Sequence, residues 1–396
     1  MSDLPSFVRR AWCRAQGLHG AGAESVAALI AQTGWVRTLG GADGYLSLAA
    51  RQPGLAVAQV HAELASGDIA VVPAVRGCVY LVPREHVPVA LAIADALSAR
   101  RRARELEKVD VEAAELEQVC TAVEQALEAG PVSVHELKKR LPEGLVRHLG
   151  PAGKKIGLTT SLTPALRQME VTGRLQRRLL DDRMDHERYS YGLPEAELSP
   201  LPTAAATVEM VRLALRWFAP TTAAGLAAFT GLTKTACKRA LSEIGAPQFD
   251  LELDGQPTFA SPDSSPDTAP LGISLLPGLD NLLAWQGPAS FVPPEELDRE
   301  VVRWGMQKGS TWATVKHVLS RTILVDGLVV GEWEWDAAAQ ELVLGSYGAP
   351  LPEGVQAQAA DRARVIQELG HAHAFSIEKP ERLAKRAARV RALGRG

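Results

Sequence analysis

Hydrophobic and polar positions along the first hundred residues switch between two periods. Residues 25–30 (SVAALI), 45–51 (YLSLAAR) and 57–65 carry apolar side chains at helical spacing, and Gly67-Asp68 stops the third run. Between the first two lies LGGADG (39–44), a glycine-dense turn that predicts no regular element. Residues 69–75 and 78–82 then read as β-rich runs joined at Arg76-Gly77, a hairpin signal. Three helices and a hairpin are the order of a winged helix-turn-helix.

That order recurs. A helix is predicted from Ser133 (in VSVHELKKRL), with Ser133 as N-cap and Glu136 at capping-box spacing. Residues 162–172 form a recognition-type helix closed by Gly173, and two runs (174–180, 189–193) flank a polar tip at 181–186, the shape of a wing. A third copy begins with a helix at Val208 and a stop at Pro220. It continues through helices at 222–229 and 234–244 and a hairpin joined at Asp254-Gly255. Beyond residue 260 the pattern changes. SPDSSPDTAP (261–270) reads as a linker or mobile loop, and short β-rich runs at 272–276, 322–325, 329–335 and 341–344 predict a small antiparallel sheet or barrel. A basic helix follows from Pro380, fraying at Gly394. The expected fold is mainly α with small β. It has three tandem winged helix-turn-helix units (1–104, 105–198, 199–260), then a β-barrel-like domain with a C-terminal basic helix (261–396).

Composition narrows the class. The chain has 396 residues, 46% hydrophobic and 22% charged, the range of a folded protein of several domains. Four well-separated cysteines (Cys13, Cys78, Cys120, Cys237) without a CxxC pair predict reduced thiols, not a zinc ribbon or a secreted disulfide framework. The N-terminus (MSDLPSFVRRAW) lacks the apolar core of a signal peptide, and no apolar run is long enough to span a membrane, so a cytoplasmic protein is expected. No Walker loop, dinucleotide fingerprint or nucleophile elbow is present, and His371-Ala372-His373 lacks a third ligand at helical spacing. Neither a metal nor a nucleotide cofactor is expected.

Net charge is −3, yet bases are concentrated locally. Between residues 131 and 180 ten bases, among them Lys138, Lys139, Lys154, Lys155 and Arg167, face three acids. Such a run is either a solvated face or a phosphate-binding one, and its coincidence with helix-turn-helix segments points to double-stranded DNA as partner. Lys234 and Lys238 fall on the third copy's recognition helix, and Arg76 at the first copy's hairpin tip is placed to enter a groove.

Several stretches resemble the AlkZ-like (YcaQ-like) winged-helix DNA glycosylases, in order and over nearly the whole chain. They are YLSLAAR (45–51), VRGCVYLV (75–82), LLPGLDNLL (275–283) and VDGLVVGEW (325–333). The resemblance implies a DNA-repair enzyme that excises alkylated or crosslinked purines by N-glycosidic hydrolysis. Active members of that family carry Gln-hydrophobic-Gln or Gln-hydrophobic-Asp about two turns before the YLSLAAR-like helix. Counting back from Arg51 places the pair at Thr33 and Trp35 or, one residue earlier, at Gln32 and Gly34, so neither register restores it. Candidate replacements are Gln32 to hold water, Trp35 to stack on a lesion, Asp43 as the nearby carboxylate and Arg37 to hold a phosphate. Without chemistry at those positions, the same chain would be a non-catalytic winged-helix DNA-binding protein, sensing damage or regulating transcription.

Overall fold

The computed structural model describes residues 6–195, 198–261, 270–303 and 310–393. The chain is mostly helical with small antiparallel sheets, and one succession of elements occurs three times. After α1 (Ser6–Ala15), the first unit comprises α2 (Val26–Thr33), β1 (Val36–Arg37), α3 (Asp43–Arg51), α4 (Val57–Ser66), β2 (Ile69–Pro73) and β3 (Val79–Pro83). A long helix, α5 (Val87–Lys108), leads out of it without a break at residue 104. The second unit repeats the order with α6 (Ala113–Leu127), β4 (Val132–Ser133), α7 (Val134–Arg140), an inserted α8 (Gly150–Lys155), α9 (Leu162–Val171), β5 (Gln176–Leu179) and β6 (Tyr189–Gly192). The third has α10 (Thr203–Phe218), β7 (Thr221–Thr222), α11 (Ala223–Thr230), α12 (Lys234–Ile244), β8 (Gln248–Leu253) and β9 (Gln256–Phe259). In each, a two-residue strand pairs with the second hairpin strand, giving sheet orders β1-β3-β2, β4-β6-β5 and β7-β9-β8.

Local chemistry sets the element ends. Ser25 caps α2 by accepting from Ala28 N at 3.0 Å, and Ser133 caps α7 through Glu136 N at 3.3 Å. The β8–β9 hairpin turns on Asp254 and Gly255, both at positive φ, as a tight hairpin requires. Asp43 and Gly44 belong to the first turn of α3 and not to the glycine-rich turn, which ends with the left-handed Gly40 and Gly41. At Gly41 a Cβ would lie 2.4 Å from the carbonyl oxygen of His373, so only glycine lets the 371–376 segment pass this closely.

The last part of the chain forms β10 (Ile273–Leu276), α13 (Asn281–Gln286), β11 (Arg321–Val325), β12 (Leu328–Asp336), β13 (Glu341–Ser346), α14 (Val355–Leu369) and α15 (Pro380–Leu393). Its strands make an antiparallel meander, β10-β11-β12-β13, whose outer members do not pair with each other. The expected barrel is therefore an open sheet. Four strands are too few to close around a packed interior, and α14 and α15 pack on the sheet instead. Of the expected linker at 261–270, residues 262–269 lie outside the described residues, as does the fraying site Gly394.

The first and third units share one core with this sheet, including Trp35, Trp217, Phe229 and Trp333. The second unit has its own, around Val119, Leu137, Leu162 and Met169. Its polar 181–186 tip is docked against the rest of the protein at Met184 and Asp185. Met184 and Asp185 are each 3% exposed. Asp185 accepts from Arg183 and from His371 (2.9 Å), while Met184 N donates to the Tyr45 hydroxyl at 3.1 Å and Gly41 N to the Asp185 carbonyl at 2.9 Å. The Asp185 charge is thus satisfied inside the protein.

Candidate functional site

A narrow pocket of about 20 Å³, room for about one water, lies between β1, the start of α3 and the loop ahead of α13. Arg37, Leu39 and Asp43 line one side; Pro277, Gly278 and Asp280 line the other. Asp43 opens α3, where the helix dipole favours a carboxylate. Its Oδ1 receives two bonds from Arg321, from Nη2 at 2.7 Å and Nε at 3.2 Å. No hydrogen bond engages Oδ2 among the described residues. Oδ2 faces Gly278, where a Cβ would come within 3.2 Å of it. Burial pushes the Asp43 carboxyl up to about 6 against the pull of Arg321. At neutral pH the group is ionised yet still basic, which suits proton abstraction from water.

Arg321 is 1% exposed and belongs to a buried series of alternating charges. It bonds Glu334 and the Ala372 carbonyl as well as Asp43; Arg386 bonds Glu334 and Glu378; and Glu378 accepts from Ala374 N at 2.8 Å. Buried charges persist only when paired in this way, and the pairing fixes the Asp43 carboxylate in one orientation.

The second carboxylate at the pocket has a different role. Asp280 accepts from Arg51 at 2.8 and 3.0 Å, from the Ser47 hydroxyl at 3.0 Å and from Leu282 N at 3.0 Å, capping α13. Burial alone would raise its pKa, but Arg51 and the other donors hold it below the usual carboxylate range. Asp280 is thus an anchor that ties α3 to α13. Asn281 extends the joint by donating to the Trp35 carbonyl at 2.6 Å. The YLSLAAR and LLPGLDNLL stretches meet physically at this ion pair.

The candidates drawn from the sequence separate here. Gln32 is exposed on α2 and does not line the pocket. Trp35 is 0% exposed; its indole donates to His86 Nδ1 at 3.1 Å and its ring lies 5.4 Å from that of Trp217. It is a core residue, held there by an apolar ring cluster and a satisfied N–H, so it presents no face for stacking. Thr33 is also buried, bonded to the Leu29 carbonyl. From this stretch the pocket takes Arg37 and Leu39 instead, carried there by β1 and the turn after it. Leu39, Asp280 and Arg321 were not singled out from sequence.

Arg76 sits on the exposed turn of the β2–β3 hairpin, where it bonds the Ala228 carbonyl and lies 5.0 Å over the Trp285 ring. Lys138, Lys139, Lys154, Lys155, Arg167, Lys234 and Lys238 are exposed. The excess counted over residues 131–180 is partly neutralised from outside that window. Arg147 pairs with Glu115 (3.0 Å), Arg174 with Glu124 (2.8 Å) and Glu117 (2.9 Å), and Arg178 with Glu195 (3.1 Å). Arg177 pairs with the buried Glu170 (2.7 Å), and Lys139 with Glu136 (2.9 Å). Lys138, Lys154 and Lys155 make no ion pair among the described residues, and Arg167 reaches Glu105 only at 4.0 Å.

Among the described residues no group of three or more His, Cys, Asp or Glu side chains could hold a metal ion, and no helix is long and apolar enough to cross a membrane. All four cysteines are free, and Cys78 is half-buried against Arg37.

Residues 23–375 match the family model described as DNA glycosylase AlkZ-like. A search of curated proteins finds no match. Among solved structures, the DNA glycosylase AlkZ of Streptomyces sahachiroi is similar with a TM-score of 0.70 at 18% identity, covering 93% of this chain and 97% of that one.

Proposed function

The chain belongs to the AlkZ-like DNA glycosylase family, and from that premise we propose that it binds double-stranded DNA through three winged-helix units and hydrolyses the N-glycosidic bond of an alkylated or crosslinked purine. The thrice-repeated strand order supports the winged-helix reading. The observation that carries the chemistry is Asp43, with Oδ1 held by Arg321 and Oδ2 turned to the pocket. With the lesion flipped toward this pocket, Asp43 orients a water and takes its proton as the oxygen bonds to C1′ of the sugar. The glycosidic bond breaks with its electron pair passing to the purine. A purine made cationic by alkylation leaves as a neutral base, so no general acid is needed. The Asp43 charge also stabilises the sugar cation that develops as the bond opens.

A second reading, a non-catalytic DNA-binding protein for damage sensing or transcriptional regulation, is favoured by Arg37 and Leu39. They give the pocket a cation and an alkyl wall in place of amides or a second free carboxylate. The test incubates the protein with duplexes carrying N7-alkylguanine, N3-methyladenine or an interstrand crosslink and measures free base by mass spectrometry. Release by wild type that Asp43→Asn abolishes supports the enzyme. Duplex binding without release from any of the three leaves the binding protein.

A further inference from the structure

Beside the Asp43 pocket, cationic groups from three parts of the chain converge, with Arg37, Arg76 and Lys316 all near enough for their charges to bear on His317. Arg37 reaches the pocket from β1, with its Nη2 3.7 Å from Cys78 Sγ and its Nε buried without a partner among the described residues. Arg76 is held in place by the Trp285 ring and the Ala228 carbonyl. The Trp285 ring also lies 6.2 Å from the His317 ring, whose Nδ1 is buried and likewise without a partner among the described residues. Lys316, next to it, is exposed. Two unpartnered buried nitrogens amid gathered like charges are costly unless an anion completes them.

We propose that Arg37, Arg76, Lys316 and His317 form a phosphate-binding cradle that holds the nucleic-acid backbone beside the Asp43 pocket. The proposal rests on the DNA-binding part of the function proposed above and is independent of catalysis. A phosphate is the fitting ligand because it accepts several N–H bonds at once and neutralises the gathered charge. The chemistry has a signature that ordinary surface lysines lack. Burial and the charges of Arg37, Arg76 and Lys316 hold the His317 imidazole below its ordinary value, so it is mostly neutral near pH 7. A docked phosphate offsets those cations and draws a proton onto His317. Binding is then coupled to proton uptake and tightens as pH falls.

The experiment measures duplex binding by fluorescence anisotropy at pH 7.5 and 5.5 at fixed ionic strength, with a salt titration at each pH. Wild type is expected to bind about fivefold more tightly at pH 5.5, the part of a one-unit rise on phosphate contact that falls between the two pH values. His317→Gln should remove that gain. Arg37→Gln and Lys316→Gln should each flatten the log K against log salt slope by ~0.9. Thermal melts check folding, and the exposed Lys316 carries the salt test if the half-buried Arg37 variant unfolds. Tight duplex binding in which His317→Gln keeps the wild-type pH dependence and Lys316→Gln the wild-type slope overturns the cradle alone. Failure of wild type to bind any duplex overturns the DNA-binding reading together with it.

Discussion

Replacing Asp43 by Asn should make the protein more stable at neutral pH while removing its proposed activity. The carboxyl is raised from its usual 3.8 to about 6, chiefly by burial. The native state therefore holds this proton more tightly than the unfolded chain does. For an acid shifted in this direction, stability falls as pH rises from the unfolded value through the folded one, and above about pH 6 the cost is fully developed. A shift of about two units at 1.36 kcal/mol each corresponds to about 3 kcal/mol. The side chain is 13% exposed, so little of this is screened by solvent. Asparagine keeps the shape and leaves Arg321 its bonds to Glu334 and the Ala372 carbonyl. Thermal and urea unfolding of both proteins at pH 4.0, 5.5 and 7.5 should give curves that nearly coincide at pH 4.0 and separate progressively above it, the variant being the more stable. Equal or lower stability of the variant at pH 7.5 would refute the reasoning, because Asp43 would then be an ordinary ion-pair partner. A group that costs stability where it stands is retained most readily for what it does to a ligand.

Three further outcomes can be checked. Arg51→Met should destabilise the chain by about 3–5 kcal/mol in urea unfolding, because it strands the buried Asp280 charge; Arg51→Met with Asp280→Leu should recover much of that. Changing Lys138, Lys154, Lys155 and Arg167 together to Gln should flatten the salt dependence of duplex binding by up to ~0.9 per lost phosphate contact, whereas Arg147→Gln, already paired with Glu115, should leave it nearly unchanged. Burial works against the Asp185 carboxylate, but His371 and Arg183 hold it well below its usual range, so its stabilisation is present above the unfolded value and lost as pH falls through the folded one. Asp185→Ala should accordingly expose the 181–188 segment to limited proteolysis at pH 7, with little effect on the second unit's own core.

Elements that announce themselves by period or by capping chemistry were legible in the sequence. The helix at 234–244 and the Ser133 cap are found where the spacing places them. Strands β1, β4 and β7 were not, because two residues carry no periodicity; tertiary pairing alone makes them strands. The docking of the 181–186 tip had no local signal, because Tyr45 and His371, which meet Asp185, lie 140 and 186 residues away. The charge count failed in the same way: Glu115, Glu117 and Glu124 on α6 lie outside the window but against its arginines. At the site, Asp43 was found as the carboxylate nearest a missing pair. What makes it distinctive, the Arg321 bond across 278 residues and the unengaged oxygen, has no sequence signal. Trp35 was ambiguous between core and surface, and the Trp217 ring that decides it lies in another unit.

The crossing at Gly41 bears on when the protein acquires its site. The pocket is walled by residues from three distant stretches: 36–47, 277–281 and Ala374. Its base is fastened by Arg321, itself tied through Glu334 to Arg386. At a synthesis rate of roughly 5–20 residues per second, the early stretch leaves the ribosome tens of seconds before the last partner does. For most of that interval Asp43 has neither its arginine nor its opposing wall. The 371–376 segment must then slide in beside Gly41, where a single methyl group would stop it. The nascent first unit lacks Trp217 and the sheet with which it shares its core, and it carries no assembled pocket. Competence at this site waits on residues far downstream, and a ribosome stalled anywhere before residue 372 displays an N-terminal stretch that is chemically blank.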